Sequence, residues 1–240
     1  MANFFHPLSD FTPFPEKNQR KIVLLWSSII LFLTLKITFG DANYFENHFL
    51  QYFAHIEFHA WYKWIYHHLS SLLMFAIVPM IFINYFLKEN WNEYGIGIGD
   101  WKFGLKATII AFLILPLPLY ISSHNPEHLQ TYPLVKLDVH SPSEIFWWTL
   151  FMLPHYIGWE FFFRGFIGFG MKKHYGGFLA IMLQTILTTL EHIGKPTGEI
   201  IGAIPAGIYL GLLTYRTNSI WWAVLFHWYL GVVNSYFCSM

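Results

Sequence analysis

Glu160 and Arg164 stand four residues apart in the run Trp159-Glu160-Phe161-Phe162-Phe163-Arg164-Gly165-Phe166, which is otherwise apolar enough to cross a membrane. On a helix that spacing puts both side chains on one face, where they can pair. A charge at mid-bilayer costs about 2.5–3.5 kcal/mol unless it faces a partner or a wet cavity, so an intramembrane carboxylate marks a functional site by default. Two later helices add Glu191 and His192 near the end of one and His227 within the other. One carboxylate and two imidazoles in a partly dry pocket are the parts that activate water and stabilise an oxyanion during amide hydrolysis. Glu160, His192 and His227 are also a donor set for a divalent metal such as zinc, with one position open for water, so the cofactor expected is such a metal or none. Singly, each group has a structural role available too, as an ion-pair clamp or an interhelical hydrogen bonder. A haem or proton-handling use of His155, His192 and His227 is the weakest chemistry, because their spacing pairs no axial ligands.

The elements that must position these groups are membrane helices. Hydrophobic residues make up 55% of the 240-residue chain and charged residues 12%, about half the charged share of a soluble domain. The fold class expected is all-α, a polytopic transmembrane bundle in contact with membrane lipid. Net charge is zero, with 14 basic and 14 acidic residues, which argues against a nucleic-acid partner. The lone Cys238 cannot form an internal disulfide. The first hydrophobic stretch follows Lys17, Arg20 and Lys21 and has no small-residue cleavage site behind it, so it reads as a retained span.

Apolar stretches of membrane-crossing length fall at 22–39, 69–87, 105–121, 145–170, 177–193, 199–215 and 218–237, which predicts about seven spans. Residues 44–68, with Phe45, Phe49, Tyr52, Phe53, Trp61 and Trp64 among polar residues, read as one helix lying in the interface. Within it His55 and His59 have metal-ligand spacing, with Glu57 close by, although belt residues are the commoner explanation. Residues 1–90 form an N-terminal part of tail, two spans and interfacial helix, and residues 91–240 a helical core. Nine Lys and Arg residues fall on one side of this arrangement against three on the other, which predicts a cytoplasmic N-terminus in a plasma membrane. The arrangement has one tension: on a straight fourth helix Glu160 lies about 22 Å from the outer end at 1.5 Å per residue, whereas His192 falls near the outer end of the fifth. The two meet only if the helix bends near Pro154 or the boundaries shift.

Residues 145–238 resemble the CPBP family of intramembrane proteases, which includes CAAX prenyl endopeptidases and bacteriocin-processing or self-immunity proteins. The family pattern is Glu-Glu-x-x-x-Arg, then Phe-x-x-x-His, then His-x-x-x-Asn. Glu160, Arg164 and Gly165 match the first motif from its second Glu onward; Glu191-His192 with Lys195, Pro196 and Glu199 resembles the second and its continuation; Leu210 to Trp221 followed by His227 resembles the third. A weaker likeness starts at Tyr94-Gly95-Ile96-Gly97. The chain departs from the pattern at three places: Trp159 replaces the first Glu, Thr188 the Phe, and Gly231 the Asn, with Asn234 nearby.

The resemblance implies an intramembrane endopeptidase acting on membrane-associated or lipidated peptide or protein substrates, as in CAAX processing. Glu160 and His192 would activate water, His227 with Asn234 would hold the oxyanion, and Arg164 would position Glu160. The family is described both as metalloproteases and as metal-free glutamate-type enzymes. The missing first Glu leaves a second reading, a catalytically silent relative serving as a membrane scaffold or an immunity or transport-accessory protein. Glu199, at the start of the sixth helix, is explained by the helix dipole.

Overall fold

The computed structural model describes residues 17–53 and 59–240, and every regular element among them is helical. Among the described residues four helices are long and apolar enough to cross a membrane: Gln19–Phe39, Trp61–Leu87, Trp101–Ser122 and Thr197–Thr217. With about 20 apolar residues needed per crossing, the chain is an all-helical integral membrane protein. The other three of the seven expected spans are helical without meeting that standard. The helices there hold Glu160 and Arg164 in one, only a short stretch beyond a kink in the next, and His227 and Asn234 in the last.

In chain order the α-helices are α1 (Lys17–Phe39), α2 (Ala42–His48), α3 (His59–Leu72), α4 (Val78–Phe82), α5 (Trp101–Ile114), α6 (Pro116–Ser122), α7 (Pro126–Leu129), α8 (Pro142–Glu160), α9 (Gly170–Leu190), α10 (Thr197–Thr217) and α11 (Trp221–Ser239). A π-helical turn at Leu73–Ile77 joins α3 and α4, and another at Ile83–Leu87 extends α4, making one rod. A longer π-helical stretch, Phe161–Phe169, carries α8 into α9. The local chemistry sets the boundaries. Ser141 accepts from the Glu144 amide ahead of Pro142 to start α8, and Asp100 accepts from the Phe103 amide to start α5, each meeting a helix-end donor that has no intrahelical partner.

The expected interfacial helix over 44–68 is corrected. Asp41 caps a separate α2, a 3₁₀ turn follows at Leu50–Tyr52, and from His59 the chain is already in the α3 rod. The aromatic stripe of that segment turns to protein: the Trp61 and Trp148 rings meet edge to face at 5.3 Å. His55 and Glu57, and the side chain of His59, lie outside the described residues, as does the tail 1–16.

Packing around α8 follows from small and flat groups. A Cβ on Gly158 would come within 2.3 Å of the Ser71 carbonyl oxygen, so glycine is what lets α8 cross α3 this closely. Below the crossing, Phe75, Phe161, Phe162, Phe163 and Phe166 are all but inaccessible and form the centre of the core. The two ends of the bundle differ. At one, Lys21 and Lys173 hold Glu89, and Arg216 holds Asp100; at the other a wide cavity opens among the ends of α1, α9 and α11 and the start of α10.

Candidate active site

Glu160 is the last residue of α8 and is fully buried. Its Oε1 lies 2.6 Å from Nδ1 of His227 on α11, and its Oε2 lies 3.1 Å from Nε of Arg164. The i, i+4 spacing thus pairs Glu160 with Arg164 even though the intervening backbone is π-helical, a departure that recurs at functional sites. Among the described residues Oε2 and the Arg164 Nε and Nη1 find no well-directed hydrogen bond, so this contact is an ion pair seated in phenylalanine. A buried pair of this kind is not a source of net stability by itself, because desolvation offsets most of the attraction.

His227 faces the other way into a cavity of about 950 Å³, which is lined also by His155, Tyr156, Trp159, His192, Glu199 and Asn234. Glu160 is not part of that wall. The expectation that its carboxylate meets the water is therefore corrected: Glu160 is buried, held by His227 and Arg164.

His192 reaches the same wall. Its Nδ1 lies 2.6 Å from the Thr188 carbonyl oxygen, which can only accept, so the proton sits on Nδ1 and Nε2 presents a lone pair. The depth problem is resolved by Gly176, whose φ of 78° breaks α9. Past it, residues 177–190 span only about 21 Å at 1.5 Å per residue, short of a bilayer's ~30 Å core. His192 consequently ends beside Trp159, at 5.7 Å between ring centroids, while His227 lies 6.3 Å from the same indole. The Trp159 ring is thus near both imidazoles.

Gly231 has a positive explanation. A Cβ there would fall 1.8 Å from the Tyr156 hydroxyl oxygen, so Tyr156 fills the space that an asparagine side chain at 231 would need. The Tyr156 ring also lies 4.8 Å from His227. Asn234 lines the cavity but its Oδ1 is 2.8 Å from Nε2 of His128, and no bond joins it to His227.

Glu199 is the residue that sequence reasoning undervalued. Its Oε1 accepts from the Tyr132 hydroxyl at 2.9 Å and lies 3.9 Å from Nε2 of His192. A second polar group lines the cavity from α1 and α3. Lys36 Nζ is 3.4 Å from His67 Nδ1, and His155 Nδ1 is 2.9 Å from Ser71 Oγ. His155 is thus a partner of α3 and is separate from His192 and His227. A metal does not fit the residues as they stand. No three His, Cys, Asp or Glu side chains among the described residues gather in a way that could hold an ion, and Oε1 of Glu160 and Nδ1 of His227 are engaged with each other.

Residues 141–233 match the family model described as type II CAAX prenyl endopeptidase Rce1-like. That stretch runs from the cap of α8 to the middle of α11 and contains Glu160, Arg164, His192 and His227. No curated protein and no solved structure matches the chain.

Proposed function

We propose that this chain is an intramembrane endopeptidase that hydrolyses a peptide bond of membrane-associated or lipidated substrates, in the manner of CAAX processing. The observation that carries the reading is the hydrogen bond between Glu160 and His227 behind the wall of a cavity that also receives the free Nε2 of His192. His192 takes the proton of an attacking water. His227 meets the developing oxyanion with its far nitrogen, while Glu160 fixes the ring and balances positive charge on it, as a buried carboxylate does behind a catalytic imidazole. Arg164 holds Glu160 in place. The Tyr156 hydroxyl, lying where the family's asparagine would project, is the second oxyanion donor. The mechanism uses no metal.

By the positive-inside rule the end that carries Lys21, Lys102, Lys173 and Arg216 is cytoplasmic, in a plasma membrane, and the cavity opens to the opposite face.

One observation favours the silent-relative reading: the Trp159 indole stands near both imidazoles where a carboxylate is expected. The test is cleavage of a quenched peptide carrying a prenylated cysteine near its C-terminus by the full chain in liposomes. On the endopeptidase reading the wild type cleaves, and His192→Ala and Glu160→Gln each abolish it. A wild type as inert as the variants supports a scaffold, immunity or transport-accessory role.

A further inference from the structure

If Trp159 has displaced the carboxylate that prepares the water, the reaction needs another. Asp41, Glu127, Glu191 and Glu199 line the cavity. Glu127 is occupied by Thr197, accepting from its backbone amide and its hydroxyl at 2.7 Å each. Among the described residues only Asp41 and Glu199 of these four lie within 4 Å of an imidazole. The partner of Asp41 is His67 on α3, beside Lys36. The partner of Glu199 is His192.

We infer that Glu199 is the carboxylate that activates the attacking water together with His192. The inference rests on the endopeptidase reading and assigns that site its missing acid. The geometry is the argument. With its proton fixed on Nδ1 by the Thr188 carbonyl, His192 points a lone pair toward Oε1 of Glu199, 3.9 Å away. Two acceptors facing each other across such a gap have no direct bond to make, and a water that donates one proton to each satisfies both. Tyr132 donates to the same oxygen at 2.9 Å and fixes the carboxylate. Glu199 lies in the first turn of α10, where an acidic side chain complements the helix dipole. The first turn thus has a second use beyond complementing the dipole.

The step balances with water as the only co-reactant. His192 Nε2 takes one proton while the water oxygen bonds to the scissile carbonyl carbon, and the carbonyl π pair moves to oxygen, facing His227 and Tyr156. On collapse the C=O re-forms, the C–N bond breaks, and His192 returns its proton to the departing nitrogen. The second water proton leaves with the new carboxyl group, Glu199 having held it during attack.

The experiment measures kcat and KM for the prenylated peptide with the full chain in liposomes, comparing wild type, Glu199→Gln, Glu199→Asp and Tyr132→Phe, with thermal unfolding of each. Loss of one group that stabilises charge in the transition state typically costs about 10²–10³-fold, so E199Q is expected to lose about that much kcat at unchanged KM and unchanged unfolding temperature, since glutamine keeps an acceptor for Tyr132. E199D should recover part of it, and Y132F should lose less than E199Q. An active wild type with E199Q at wild-type kcat overturns this assignment and leaves the endopeptidase reading standing. So does a loss of activity in E199Q that follows a fall in unfolding temperature. A wild type that cleaves nothing overturns both.

Discussion

Nδ1 of His227 lies 2.6 Å from Oε1 of Glu160, yet the imidazole lines a cavity and the carboxylate is sealed from it. A chain of three side chains thus runs outward from the phenylalanine core, Arg164 to Glu160 to His227, and of the three only His227 lines the cavity. The arrangement makes Glu160 and Arg164 positioning groups and divides the consequences of changing them.

Removing one partner of a buried ion pair leaves the other charge uncompensated, at a cost of about 3–5 kcal/mol. Arg164→Ala is expected to lose that much stability, measured by thermal unfolding in detergent. The double variant Arg164→Leu with Glu160→Gln should recover most of the loss while remaining inactive. Equal stability of R164A and wild type would show that Glu160 is not ionised in the fold.

The contact between Gly231 and Tyr156 gives opposite outcomes for two substitutions. Gly231→Asn forces a side chain onto the Tyr156 hydroxyl, where a Cβ would already be 1.8 Å away. Overpacking of this kind costs about 1–3 kcal/mol, so G231N should be less stable and no more active. Tyr156→Phe keeps the ring against His227 and removes only the hydroxyl. Loss of one oxyanion donor lowers kcat by about 10²–10³-fold, and Y156F should show that loss with little change in unfolding temperature.

At the opposite end, burial works to raise the Glu89 carboxyl, and the ammonium groups of Lys173 and Lys21 with the Tyr94 hydroxyl more than offset it, holding it at about 2 against an ordinary 4.5. A carboxyl whose pKa is lowered by folding contributes stability that is complete above its unfolded pKa and is lost as pH falls toward the folded one. Unfolding temperature should therefore fall between pH 4.5 and pH 2 more steeply in wild type than in Glu89→Gln. At pH 7 E89Q should already be weaker, by on the order of 1 kcal/mol for a partly exposed network. Parallel pH curves for the two proteins would contradict the assignment.

Orientation is open to labelling. With Cys238 replaced by Ser, Lys136→Cys at the cavity end should react with a membrane-impermeant maleimide in intact cells. Lys102→Cys should react only after permeabilisation. The reverse pattern would place the cavity mouth on the cytoplasmic face.

What could be read from the sequence follows from what each signal measures. Glu160, Arg164, His192 and His227 stood out because ionisable groups in apolar runs are expensive; Arg164, Glu160 and His227 form one chain of contacts, and His192 lines the cavity that His227 faces. The interfacial helix misled because the aromatic pattern of Trp61 and Trp64 is the same whether the rings face lipid headgroups or, as here, α8. The depth of His192 was hidden in one backbone angle at Gly176, although the Gly176-Gly177 pair is a signal for such a break. Glu199 was passed over because an acid in a first helical turn already has a sufficient cause, and only the fold brings Tyr132 and His192 to it. Tyr156 carried no signal, since an aromatic on an apolar helix face is ordinary core until Gly231 makes room for its hydroxyl.

The most direct test of the account is isotope incorporation. Full-length protein in liposomes, given the prenylated peptide in ¹⁸O water, should release a product whose new C-terminus carries one ¹⁸O, and His192→Ala and His227→Ala should release none. Intact peptide with the wild type, or the same labelled product from both variants, would contradict the claim that side chains from separate helices gather at this cavity to hydrolyse a peptide bond.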